Sequence, residues 1–430
     1  MTRISMKKRE TRIAAFTLTA ALATVLAADG AGAQESTSEP PPAPIVERAR
    51  IVPPSPPRPA AEEASEKPAP AEPRPDALSV EARPGHHAVH EVRLLKAGGG
   101  RVDGARQDDW IAFDMVGEDE RYDVHVLQIE GAGAEHCLTC DLWMLKKTHV
   151  LNPAWHPSGD YLVVQTQSSP KRRGLDAVDL ATPDRGLGGE LWVVTRDGRD
   201  AFQLTHLADR GSAVLDPHFS HEAGLLAWSE RLTSREPPYG EWVVRVVDFK
   251  LRRGVPRLGK TRTYNSGIGQ GLAVVHGFTP GDDGILVSAV PDRGLPEPDI
   301  VRVDLESGRV DRLTSSPDQS DELVLAVPYS DYYVWVTDRG LNDQSQVLSR
   351  GPLPRRTEVW LRSASGMAQE RLTYFNHADS SHYLGSAMVS DLSWTADGEG
   401  LLVSVVSVPE GSEAVKEGIF LVKLGKEYQR

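Results

Sequence analysis

Cysteine is nearly absent: two residues in 430. That excludes a disulfide scaffold and a multi-cysteine zinc module. Aromatics make up only 6% of the chain, and no internal apolar run reaches the ~20 residues of a spanning helix. With a mean hydropathy of -0.35, this excludes a multi-span membrane protein. Positive charge is also short, with 48 Lys and Arg against 61 Asp and Glu, a net charge of -13. Such a surface argues against nucleic acid as a partner, because attraction to phosphate needs the opposite sign. Three chemical signatures are missing as well. No G-x-S-x-G, no H-E-x-x-H and no P-loop occurs, and Gly267-Ile268-Gly269-Gln270-Gly271 has no helix signal after it.

The start of the chain has the opposite balance, with five Lys and Arg against two Asp and Glu in residues 1–33. Lys7, Lys8, Arg9 and Arg12 precede an apolar stretch from Ile13 to Ala28, and Ala31-Gly32-Ala33 places small residues before Gln34. This reads as a signal peptide over 1–33, with a periplasmic or secreted destination and no stable membrane insertion after cleavage. Residues 34–85 hold 14 Pro with almost no large apolar side chains. They cannot offset their ordering entropy by burial and are expected to form a disordered, Pro-rich linker.

From residue 86 to 430 the chain repeats. An aromatic residue, a polar turn with Gly and a β-rich run recur, as in Trp155-His156-Pro157-Ser158-Gly159-Asp160-Tyr161 and its following strand. Phe219-Ser220-His221-Glu222-Ala223-Gly224-Leu225, Phe278 to Ser288 and Trp394 to Ser404 repeat it; Asp109–Asp114 and Asp331–Thr337 fit its second half. Alternating strands follow, such as Trp242-Val243-Val244-Arg245-Val246-Val247, and then a Leu-Thr pair: Leu138-Thr139, Leu204-Thr205, Leu313-Thr314 and Leu372-Thr373. Each unit is a four-stranded antiparallel sheet. Six such units predict an all-β, six-bladed β-propeller. The last unit lacks a fourth strand after Gly418–Leu424, and residues 88–96 are expected to supply it and close the ring.

The Trp-x-Pro-x-Gly-x-Tyr and Leu-Thr pattern resembles the TolB-type propeller repeat, a relative of the WD repeats, over roughly residues 105–425. The resemblance implies the propeller. It implies no single activity, because that repeat serves binding proteins, the propeller domains of oligopeptidases and a few lyases. TolB proteins carry an α/β domain before the propeller, where this sequence has its Pro-rich stretch.

In such a blade, the turns between first and second strands and between third and fourth share one face. These are short. The second-to-third loops and the inter-blade connections share the other face and are long: 168–189, 231–240, 338–357 and 374–389. A long-loop rim on one side predicts a binding face there.

Candidate chemistry is sparse. His149, His218 and His276 lie near the starts of first strands, and His377 and His382 lie in the last inter-blade connection. Asn152, Asp216 and Asp391 stand three residues before the repeat aromatic. Together these eight are candidates for a polar channel mouth. A divalent metal there would use His149 and His276, and no other cofactor is indicated. Cys137-Leu138-Thr139-Cys140 leaves three readings open: a local disulfide, two buried thiols or a metal site. On a continuous strand, Cα atoms three apart lie near ~10 Å, beyond the ~7 Å limit for a disulfide, so that bond requires the strand to end first. The sequence therefore predicts an exported binding or scaffold protein with a protein or cell-envelope partner. The competing expectation is a metal-dependent lyase or hydrolase acting on an anionic or sugar-like ligand at the channel mouth.

Overall fold

A computed structural model describes residues 89–425, apart from 131–133, 168–185, 187, 208–211, 234–240, 268–270, 291–296, 317, 342–354 and 367. The expected signal peptide and linker lie outside the described residues, as does most of the two longest loops, 168–188 and 338–357.

The described residues hold 24 strands in six four-stranded antiparallel sheets and no α-helix. Blade 1 is β2 (Val102–Gly104), β3 (Trp110–Val116), β4 (Tyr122–Gln128) and β5 (Glu135–Cys137). Blade 2 is β6 (His149–Trp155), β7 (Tyr161–Gln167), β8 (Gly189–Thr195) and β9 (Ala201–Gln203). Blade 3 is β10 (Ala213–Phe219), β11 (Leu225–Thr233), β12 (Glu241–Arg252) and β13 (Val255–Tyr264). Blade 4 is β14 (Ala273–Phe278), β15 (Gly284–Ala289), β16 (Asp299–Asp304) and β17 (Val310–Arg312). Blade 5 is β18 (Asp321–Ala326), β19 (Tyr332–Thr337), β20 (Glu358–Ser363) and β21 (Gln369–Arg371). Blade 6 is β22 (Ser386–Trp394), β23 (Gly400–Val408), β24 (Lys416–Leu424) and β1 (Val89–Ala97). The first strand of each blade touches the first strand of the next, and β22 meets β2, so the blades form a closed ring. This is the six-bladed propeller that the repeat predicts.

Closure falls where the missing strand required it. β1 pairs antiparallel with β24, with Val92 opposite Val422 and Ala97 opposite Gly418. The donated edge leaves no unpaired strand at the seam.

Between blades the core is aliphatic, with few aromatics. Trp155, 3% exposed, packs with Ala112, Val124 and Val126 of blade 1 and Leu162 and Val164 of blade 2. Its place in the repeat is the inter-blade seam.

The Leu-Thr pairs have a mechanical reason. They do not lie in the fourth strands but directly after them, the Leu adding one more ladder bond, as from Leu204 N to Leu191 O. The Thr hydroxyl then accepts an N–H near the start of the third strand, that of Val124, Leu191, Ile300 or Val359. It donates to the acidic residue just before that one, Asp123, Glu190, Asp299 or Glu358, at 2.7, 2.5, 3.3 and 2.5 Å. Four blades thus end in the same acid–threonine clasp. It satisfies backbone groups where the ladder runs out.

Candidate functional site

The axis of the ring is lined by the six first strands, and five of them carry a register shift at or next to the position three before the repeat aromatic. Asn152 (φ 48°), Asp216 (φ 47°) and Leu323 (φ 51°) are left-handed there. Asn and Asp tolerate that conformation better than other side chains, which explains their presence at the bulge. A bulge also re-aims side chains, here toward the axis. Asn152, Asp216 and Asp391 therefore lie within the channel-lining strands.

What they meet is a residue that the sequence reading missed. Arg101, just before β2, donates Nη1–H to Asn152 Oδ1 and to Asp216 Oδ1, both at 2.7 Å. Asn152 Nδ2 donates to Asp216 Oδ1 at 3.1 Å and to Gln165 Oε1 at 2.7 Å, and Asn152 N donates to Asp114 Oδ2. One guanidinium joins blades 1, 2 and 3. Asp391, in blade 6, accepts from Val102 N and Leu392 N, each at 2.9 Å. Asp103 accepts from Ser393 Oγ of blade 6 at 2.6 Å and from Trp155 N of blade 2 at 2.7 Å. Arg101 precedes the first recognisable repeat, so no positional pattern could flag it.

Enclosure dominates the electrostatics. Burial pushes the Asp391 carboxyl up to about 7 against the pull of Arg101, and Asp216 adds repulsion. Burial likewise raises Asp216, opposed by Arg101. Burial and the charge of Arg106 bring His218 down to about 4. His276 falls to about 3 through burial, with His218 and Arg101 repelling its charged form. Both imidazoles are neutral at physiological pH, His276 with Nε2 at 2.6 Å from Ser288 Oγ. A carboxyl titrating near 7 suits acid–base work only if its oxygens are free to meet a substrate. One oxygen of Asp391 accepts the Val102 N–H across the seam where the ring closes, and the other accepts the N–H of its neighbour Leu392.

Five of the eight candidates, Asn152, Asp216, His218, His276 and Asp391, thus gather along the axis. Three do not. His149 lies against Tyr122 of blade 1, whose N–H points at Nδ1 at 3.4 Å, and its charged neighbours are Arg121 and Asp119. His377 pairs with Arg371 and packs edge-on to Tyr374. His382 packs edge-on to Phe375. His377 and His382 lie in a connection that leaves the outer strand of blade 5, so they meet the rim before the chain reaches the axis, and His149 is the first residue of β6, where the connection from blade 1 enters it. Among the described residues, His149 and His276 belong to no common group of three metal-ligating side chains. Among the described residues, the single group of three metal-ligating side chains within mutual reach is His125, Cys137 and Cys140.

Cys137 and Cys140 are joined as a disulfide, with Cα atoms 5.8 Å apart. β5 ends at Cys137, and the chain turns at once, with Leu142 N bonding to Thr139 O. This is the early strand end that the bond required.

The two faces of the ring differ. Every turn between first and second strands has five residues, from 105–109 to 395–399, whereas the opposite face carries connections as long as 168–188 and 338–357. The connection after the disulfide belongs to that long-loop face. Leu142 (4% exposed) and Leu145 (2%) are buried, while Trp143 between them is 79% exposed. Lys146 and Lys147 beside it are exposed too. On the turn face, Tyr329 projects from the tip of the 327–331 turn.

No protein-family model matches the sequence, and neither does any curated protein. Among solved structures, the chain is similar to a puromycin hydrolase at 13% identity and TM-score 0.46, over 78% of this chain and 46% of that one. It is similar to TolB from Acinetobacter baumannii at 17% identity and TM-score 0.36, over 64% and 67% of the two chains. With tricorn protease the figures are 12%, 0.45, 75% and 31%. The chain therefore spans less than half the length of the hydrolase and about a third of tricorn protease. No residue role passes from these proteins to this one.

Proposed function

We propose that the protein is an exported binding scaffold whose long-loop rim holds a protein or cell-envelope component. The observation that carries this reading is the asymmetry of the ring: tight five-residue turns on one face, and on the other long connections together with the projecting indole of Trp143. Aromatic side chains held rigidly at a surface are the usual anchors of protein interfaces, because little side-chain entropy is lost on docking. The channel supports the same reading from the other side. Its charged groups are engaged with one another and with the backbone across blade boundaries, which ties the ring together. Periplasmic or secreted placement rests on the basic and apolar pattern of residues 7–33.

The test compares the two faces. Partner recovery by quantitative cross-linking in envelope extracts is measured for Trp143→Ala, for a chain shortened within 168–185 and for His377→Ala. Turn-face variants Tyr329→Ala, Ser158→Ala and Glu222→Ala serve as controls. Rim variants are expected to lose the partners that wild type recovers, with melting temperature nearly unchanged, while turn-face variants keep them. Loss that tracks the turn face would refute the proposal.

A further inference from the structure

The disulfide has a neighbour that the sequence spacing did not suggest. β4 and β5 pair so that His125 stands directly opposite Cys137, and residues directly opposite across an antiparallel pair share one face of the sheet. The chain then turns through Leu138 and Thr139 and returns Cys140 to the same place. A ligand atom from each of His125, Cys137 and Cys140 lies within 4.8 Å of the other two. Two sulfurs and an imidazole at this spacing are the donor set of a thiophilic metal ion such as zinc. We infer that reduction of the Cys137–Cys140 bond converts this corner of blade 1 into a binding site for a thiophilic divalent cation, with His125 as the third ligand.

The surroundings suit that role. His125 stacks on Phe113 with ring centroids 5.7 Å apart, so its ring is already oriented. The Glu135 carboxylate lies 3.6 Å from Nδ1, in the position of the outer carboxylate that commonly orients a metal-bound imidazole. Lys96 Nζ holds Glu135 in turn at 2.7 Å. Cys140 is exposed, so an external thiol can reach the bond, and its backbone N–H already points to Cys137 Sγ at 3.1 Å. That N–H would support a Cys137 thiolate once the bond is open.

The chemistry balances with a dithiol reductant. Two electrons and two protons pass from the dithiol to the Cys137–Cys140 bond, giving two thiols, and the reductant closes to its own disulfide. The metal then displaces both thiol protons to water and takes the imidazole as its third donor, leaving the fourth position for water. The oxidised and the metal-loaded states would both clasp the base of the connection that carries Trp143. The inference does not depend on the rim binding a partner.

Cobalt(II) is the probe, because its thiolate charge-transfer and tetrahedral visible bands report ligands directly. Reduced wild-type protein should bind one cobalt per chain with both bands, and zinc should displace it. Oxidised protein should show neither band. His125→Phe keeps the stack on Phe113 but offers no donor. It should weaken binding by more than the ~10-fold that loss of an outer partner costs, and it should change the visible band. Cys140→Ser, at an exposed turn position, should abolish the thiolate band. The melting temperature of oxidised His125→Phe, matched to oxidised wild type, establishes that the fold survives. The inference is overturned if reduced wild type binds no more cobalt than Cys140→Ser, or if His125→Phe binds with unchanged affinity and spectrum.

Discussion

Replacing Arg101 by Met separates a structural channel from a chemical one. The guanidinium joins three blades through Asn152 and Asp216, and the side chains of Arg101 and Asp216 are each 17% exposed. Met fills most of the volume of the Arg stem, so the loss is electrostatic and not a cavity. Removing one partner of a largely buried ion pair costs about 3–5 kcal/mol, because the other charge is left uncompensated. Burial already pushes the Asp216 carboxyl up, and the charge of Arg101 pulls it down. Without Arg101 the folded-state pKa rises further above the unfolded value. A raised carboxyl favours the fold at low pH, where it is protonated in the native state, and that contribution is lost as pH rises through the folded pKa. The destabilisation of Arg101→Met relative to wild type should therefore be about 3–5 kcal/mol at pH 8 and clearly smaller at pH 4.5. Urea melts at the two pH values measure it. Adding Asp216→Asn should recover much of the loss at pH 8 and little at pH 4.5. Equal destabilisation at both pH values, or a loss below about 1 kcal/mol at pH 8, the ordinary scale of a single hydrogen bond, would refute the reasoning. Partner recovery through the rim should survive the substitution.

Three further outcomes are expected. Trp155→Ala should cost about 3–5 kcal/mol in denaturant melts, as for other large-to-small changes at a packed seam, and a loss under about 1 kcal/mol would mean the ring is not held between blades. Deleting residues 1–84 should leave the melting temperature unchanged, whereas deletion through Ala97 removes β1 and exposes β24; equal solubility of the two truncations by light scattering would count against closure. His276 titrates near 3 in the folded chain, below its unfolded value, so its contribution to stability is full above about pH 6.5 and lost as pH falls toward the folded value. His276→Gln should flatten stability against pH between about 4 and 6, and a slope identical to wild type would show that the imidazole is not enclosed.

Much of the architecture was legible because it is periodic. Strand alternation, the Gly turn and the aromatic before it recur at matched places, and the shortfall of one strand in blade 6 pointed to 88–96, where β1 spans Val89–Ala97. The Leu-Thr pair was legible as a marker but not as a device. Its acidic partner lies about fifteen residues earlier, and the two meet only once the third and fourth strands pair. The candidate site was half legible. Asn152, Asp216 and Asp391 stood out by their fixed offset from the repeat aromatic, since a left-handed bulge restricts residue type locally. His377 and His382 were misplaced because a histidine in a connection carries no mark of which wall it will meet, and His149, the first residue of β6, sits where such a connection ends.

The sequence alone determined the fold class, the blade count, the closing strand and which face would carry the long loops. All four follow from local propensity and period, which each segment expresses by itself. Tertiary structure alone decided that Arg101 is the hub of the axis and that His125 faces Cys137 across β4 and β5. It also decided that Trp143 stands out from the rim while its neighbours Leu142 and Leu145 are buried. Those arrangements depend on the register between strands and on which blades become neighbours when the ring closes. Residues as far apart as Val102 and Asp391 meet there, and no local pattern encodes their distance.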